Sequence, residues 1–161
     1  MKSMALFTVS FLLSVSAFSA TWEKMDNNKS IFSDLVSGKE LYASVYKLNG
    51  KNESENMIQS LKQLTYIVRS EWGIYSMPES VDVALTSKEN KLSVLTEDSS
   101  RQEPQQVTNQ TLEKLQKFIN QNNQMDVYEG HDGNSFGDCA NVILHDKATS
   151  QVALLSVCYS E

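Results

Sequence analysis

The chain has 161 residues, a formal net charge of −6 and 40% apolar residues. That length suits one domain, and the apolar content lies above the range of disordered chains. The acidic balance repels phosphate backbones and anionic lipid headgroups, so general nucleic-acid and membrane-surface binding are both disfavoured.

The first twenty residues stand apart. Lys2 is the only charge before Glu23, and Met4 to Val15 (MALFTVSFLLSV) is a largely apolar, uncharged run. Small residues follow at Ser16, Ala17, Ser19 and Ala20. A basic start, a short apolar middle and a small-residue end describe a secretory signal over residues 1–20. The run is short for a bilayer span, which needs about 20 apolar residues. Cleavage after Ala17, Ser19 or Ala20 is compatible with the pattern. The remaining residues 21–161 are expected to form a single domain, secreted or periplasmic. Without Lys2 that domain has 13 basic residues against 20 acidic ones, a net charge of −7.

Asp26 caps a predicted short helix whose apolar positions are Ile31, Phe32, Leu35 and Val36, with Gly38 as its stop. Residues 40–49 (ELYASVYKLN) alternate and predict a half-buried strand. Asn49-Gly50 and the residues after it predict a turn. Ser54 then opens the clearest amphipathic helix: Met57, Ile58, Leu61, Leu64, Thr65, Val68 and Trp72 recur every three or four residues up to Gly73.

Pro78 interrupts regular structure. Residues 80–87 (SVDVALTS) and 91–97 (KLSVLTE) predict two strands joined as a hairpin by Lys88-Glu89-Asn90. Residues 98–106 predict a loop. Thr108 or Asn109 caps a further helix with Leu112, Leu115, Phe118 and Ile119 as its stripe, and the Asn/Gln run from Asn120 to Gln124 ends it. Met125 to Tyr128 predicts a short strand, and Gly130 to Gly137 an irregular loop.

The last forty residues carry the sharpest expectation. Residues 140–146 (ANVILHD) and 151–157 (QVALLSV) predict strands around the turn Lys147-Ala148-Thr149-Ser150. A hairpin centred between Ala148 and Thr149 pairs residues whose numbers sum to 297, and Cys139 with Cys158 satisfies that sum. With a four-residue loop closed by Asp146 and Gln151, the cysteines fall on a closely spaced non-hydrogen-bonded pair. They are the only two cysteines, and an even count in an exported chain favours a bridge. The same register places Ala140, Val142, Leu144, Ala153, Leu155 and Val157 on one core face. The fold class is therefore α+β: a single small domain with an antiparallel sheet of about five to six strands, two or three packed helices and a C-terminal disulfide-linked hairpin.

No catalytic, cofactor or metal motif is complete. The richest polar segment is Glu129-Gly130-His131-Asp132-Gly133-Asn134-Ser135-Phe136-Gly137-Asp138, which marks Glu129, His131, Asp132 and Asp138 as a candidate ligand loop. It fails as a calcium loop because Phe136 and Ile143 fall at ligand positions. His131 and His145 are the only histidines, too few for a zinc site without carboxylates; His145 is expected at or near the surface. No cofactor is expected. The expected function is non-enzymatic binding of another molecule, most simply a protein partner, as an inhibitor or envelope-associated module would do. The alternative is a small secreted hydrolase or metal-dependent enzyme built on the 129–138 loop.

Overall fold

The structure is a computed structural model, and it describes residues 21–37, 41–49, 54–73, 78–86, 92–95, 107–134 and 137–160. The signal-like segment and the expected loop at 98–106 lie outside the described residues.

Six strands form one antiparallel sheet: β1 (Thr21–Lys24), β2 (Tyr42–Asn49), β3 (Ser80–Leu85), β4 (Met125–Asn134), β5 (Gly137–Asp146) and β6 (Gln151–Ser160). Their spatial order is β1-β2-β6-β5-β4-β3. Three helices pack on it: α1 (Ser33–Val36), α2 (Ser54–Trp72) and α3 (Asn109–Gln121). Short 3-10 turns at Asn27–Lys29 and Ser93–Leu95 complete the described elements.

The sheet is covered on both faces. On one lies α2, whose Met57, Leu61, Leu64 and Val68 bury against Tyr46, Tyr128, Ile143 and Leu154. On the other, Phe32, Leu35, Val94, Leu115 and Ile119 cover Val45, Val142, Leu144 and Leu155. A strand buried on both faces loses its alternation and becomes a near-continuous apolar run. The run from Val152 to Leu155 is such a case, with all four residues fully buried. β2, expected half-buried, is likewise covered at Val45 on one face and Tyr46 on the other.

Local chemistry sets the element ends. Asp26 accepts a hydrogen bond from the Asn28 N–H at 3.0 Å, capping the first 3-10 turn. Gly73 ends α2 in the left-handed region (φ 62°), its N–H returning to the Arg69 carbonyl at 3.2 Å; a side chain there would be strained. Thr108 caps α3, accepting from the Thr111 N–H. The side chain of Asn122 closes the far end by donating to the Phe118 carbonyl at 2.7 Å.

The final hairpin has the expected register. Cys139 faces Cys158 across β5 and β6, and Asp146 faces Gln151 beside the turn. The cysteines are bonded, with Cα atoms 4.0 Å apart. The Asp146 carboxylate accepts from both the N–H and the hydroxyl of Thr149, which locks the turn.

Two expectations require correction, and one strand is new. Residues 93–95 form a 3-10 turn rather than a strand, because Val94 and Leu95 bury into the core. β3 therefore pairs with β4 instead. The segment from Gly130 is no irregular loop either: β4 continues to Asn134 and pairs with β5 as far as Asn134↔Gly137. Residues 135 and 136 lie outside the described residues. Finally, Thr21–Lys24 forms an edge strand on β2 that residue alternation over four positions does not announce.

Candidate functional site

Antiparallel pairing sends successive side chains to opposite faces. That alternation decides which candidate residues meet. Glu129, His131 and Asp138 fall on the α3 face of β4 and β5, beside Val142, Ala140 and Gly133 respectively in the register. Asp132 falls on the opposite face, beneath α2. The four residues marked in the sequence are therefore divided between two environments.

Asp132 lies in a buried polar cluster. Its carboxylate takes two hydrogen bonds from Arg69 of α2, from Nε at 2.7 Å and Nη2 at 2.6 Å. Arg69 is 1% exposed and Asp132 4%. The guanidinium also donates to Asn141 Oδ1 at 2.9 Å, and Nη1 reaches Cys158 Sγ at 3.4 Å. Asn141 returns a bond to Asp132 at 2.6 Å, and Ser156 donates to Asn141 at 2.5 Å. Trp72 lies over the guanidinium, 5.0 Å from ring centroid to carbon, and its indole N–H donates to Ser44 at 2.9 Å. A buried ion pair survives desolvation only when the remaining donors and acceptors are also met. Here β4, β5 and β6 supply those partners, so the cluster ties α2 to three strands.

The sequence pass over α2 misses Arg69. Its signal is spacing: Thr65, Arg69 and Trp72 continue the buried stripe one turn apart, so Arg69 belongs to the packed face rather than the solvated one.

The second environment is a cleft of about 480 Å³ at the β3–β4 edge, lined by Asp82, Val83, Ala84, Thr86, Val94, Glu129, Gly130 and His131. Glu129 accepts from the Thr86 hydroxyl at 3.0 Å. His131 is exposed and Asp138 half-buried. Gly130 is required for close approach: a Cβ there would lie 1.9 Å from the Asp82 carbonyl oxygen, so any side chain would push β3 off β4. Among the described residues, no group of three His, Cys, Asp or Glu side chains is placed to hold a metal. The cleft brings two carboxylates, an imidazole and a hydroxyl to the β3 strand, which among the described residues pairs on one side only.

The two edges of the sheet differ. β1 is four residues long and carries Glu23 and Lys24, and Lys24 pairs with Glu71 of α2. Short, charged edges resist pairing. β3 spans six residues with one charge, Asp82, and ends on Leu85, which is 61% exposed. Among the described residues β3 pairs only with β4.

His145, expected near the surface, is 7% exposed, and its Nδ1 has no hydrogen-bond partner among the described residues. Burial lowers its pKa, opposed by the carboxylates of Asp126 and Asp146 and reinforced by Lys147. The folded state thus holds His145 neutral, while the unfolded chain protonates it near its ordinary value of about 6.5. For a depressed histidine the stability is fully present above the unfolded pKa and is lost as the pH falls below it. Urea-unfolding midpoints are expected to hold steady above about pH 6.5 and to decline below it, with His145→Gln flattening the decline. A wild-type profile that stays level through that window contradicts the assignment. Tyr46 and Tyr128 are also shifted, upward: burial dominates in both, aided by the nearby carboxylates of Glu71 and Asp126 respectively. Both phenols stay protonated throughout.

Comparison with family models, with curated proteins and with solved structures finds no match to this chain. The functional reading therefore rests on the residues themselves.

Proposed function

We propose that this chain is an exported, non-enzymatic binding domain that holds a partner protein at the β3–β4 edge. The observation carrying this reading is a strand edge, unpaired among the described residues and ending on an exposed Leu85, beside a cleft lined by Glu129 and His131. An edge strand presents unpaired N–H and C=O groups, and many proteins use them to dock another chain. The signal-like residues 1–20 support export, as does the disulfide, since such bridges persist in oxidising compartments. No helix among the described residues is long and apolar enough to cross a membrane.

The reading is tested by one substitution. The Thr86 N–H donates inward to the Val127 carbonyl at 2.9 Å. Hydrogen bonding alternates sides along an antiparallel strand. The Leu85 N–H therefore points away from β4, and Leu85→Pro removes that outward donor without breaking the β3–β4 ladder. Immobilised wild-type protein is expected to retain a discrete partner from the exported fraction of its own cells, and Leu85→Pro to lose it at an unchanged melting temperature. Retention of the same partner by both proteins would move the binding surface elsewhere.

A further inference from the structure

We infer that Cys158 is the reactive sulfur of the Cys139–Cys158 bridge, the atom at which an external thiol or disulfide exchanges with this chain, while Cys139 resolves the exchange. Neither cysteine lines the β3–β4 cleft, so the assignment stands apart from the binding reading above.

The two sulfurs sit in unlike surroundings. Cys158 is half-buried, whereas Cys139 is 1% exposed. The Arg69 guanidinium gives Nε and Nη2 to Asp132 and turns Nη1 toward Cys158 Sγ, 3.4 Å away. A donor on a cationic group favours the thiolate over the thiol, so reduced Cys158 ionises below the ordinary thiol value of about 8.5. Cys139 has the opposite setting. It is the register partner of Asp132 on β4, and burial and a neighbouring carboxylate both favour the neutral thiol. Arg69 offsets part of that carboxylate's charge, but burial alone acts in the same direction. In exchange the thiolate is the attacking species. Cys158 therefore attacks a disulfide R–S–S–R, forming a mixed disulfide and releasing one RS⁻. Cys139 then gives up its proton, and its sulfur attacks that of Cys158, expelling the second RS⁻ and closing the bridge. Two thiols of this chain are oxidised and one disulfide is reduced to two thiols. Reversal begins with RS⁻ at the accessible Cys158 and must expel Cys139, whose high pKa makes it a poor leaving group. The bridge thus closes readily and opens slowly, as a lasting staple requires.

The test compares two single-cysteine proteins, Cys139→Ser and Cys158→Ser, as full chains. Each is reacted with oxidised glutathione over a range of pH, and the mixed disulfide is followed by mass. At about pH 7, Cys158 in the first is expected to react about ten-fold faster than Cys139 in the second, since one pKa unit is ten-fold in thiolate. The rate of Cys158 should reach half its maximum below about pH 8.5, and that of Cys139 above it. In concentrated urea the two rates should converge. Arg69→Lys, added to Cys139→Ser, keeps a charge opposite Asp132 but lacks the Nη1 arm, and should raise the Cys158 midpoint. An unmoved midpoint overturns the role given to Arg69. Equal rates in the folded proteins, or a faster Cys139, overturn the assignment. A rate gap that persists in urea overturns its structural cause. If a variant fails to fold, the wild-type bridge is opened with excess reduced glutathione, quenched in acid and mapped by peptide mass. Glutathione on Cys158 is the expected result, and glutathione on Cys139, or on both equally, overturns the inference.

Discussion

Replacing Arg69 by Met is expected to cost about 3–5 kcal/mol of folding stability, the range for removing one partner from a buried ion pair. The cost comes mainly from what is left behind. Among the described residues Asp132 would keep Asn141 as its remaining hydrogen-bond partner, and the Ser156–Asn141 bond would lose its charged neighbour. Without the guanidinium, the carboxylate stays buried without its counter-charge. Removing both charges is milder, because well-packed apolar pairs often replace buried ion pairs at little cost. Urea unfolding should therefore rank the proteins in the order wild type, then Arg69→Met/Asp132→Leu, then Arg69→Met. A single substitution that costs under about 1 kcal/mol would show that the cluster is dispensable. The consequence reaches the β3–β4 pair, because Asp132 sits on β4 two residues beyond Gly130, where a Cβ would meet the β3 backbone.

Cys139→Ser, or reduction of the bridge, is expected to destabilise the domain by about 3 kcal/mol, from the loop-closure entropy of a 19-residue separation. The turn between β5 and β6 is already held by Asp146 and Thr149. That prior order makes the figure an upper estimate, since part of the loop entropy is lost without the bridge. The bridge and the buried cluster should also be coupled, because Arg69 Nη1 contacts Cys158 Sγ. A double-mutant cycle on Arg69→Met and Cys158→Ser is expected to be non-additive, as it is for groups in contact. Thermal midpoints that are identical with and without reductant would remove the disulfide from the account.

What the sequence discloses follows from the range of the interactions involved. The last hairpin was legible because two apolar runs, a polar turn and two cysteines impose one register, and the sum of 297 recurs in every pair from Gly137↔Ser160 to Asp146↔Gln151. α2 and α3 were legible because their stripes repeat at helical spacing. The outer half of β4 (GHDGN) was not, because it carries glycines and polar residues that favour turns, and only pairing with β3 and β5 makes it a strand. The misassigned segment around Val94 fails for the same reason: three apolar residues fit either a strand or a buried turn, and tertiary packing decides. The double coverage of the sheet was not legible, since the cysteine-bearing face mixes Ile143, Val152 and Leu154 with Asn141, His145 and Ser156.

The candidate residues divide along the same line. Glu129, His131, Asp132 and Asp138 are close in sequence, yet strand alternation sends Asp132 to Arg69 and the others to the α3 face. No local pattern links Asp132 to a residue 63 positions away. A loop could have converged all four; a strand cannot.

The central claim is that a partner protein docks on β3, and site-specific photo-crosslinking tests it most directly. A photoreactive residue would be placed at Ala84, on the exposed cleft side of β3, and separately at Glu23 on the opposite edge of the sheet. Each protein would be irradiated in the exported fraction of its own cells and the adducts resolved by mass. A discrete protein adduct from position 84 and none from position 23 is the predicted result. Adducts from position 23 alone, or from neither position, would contradict it.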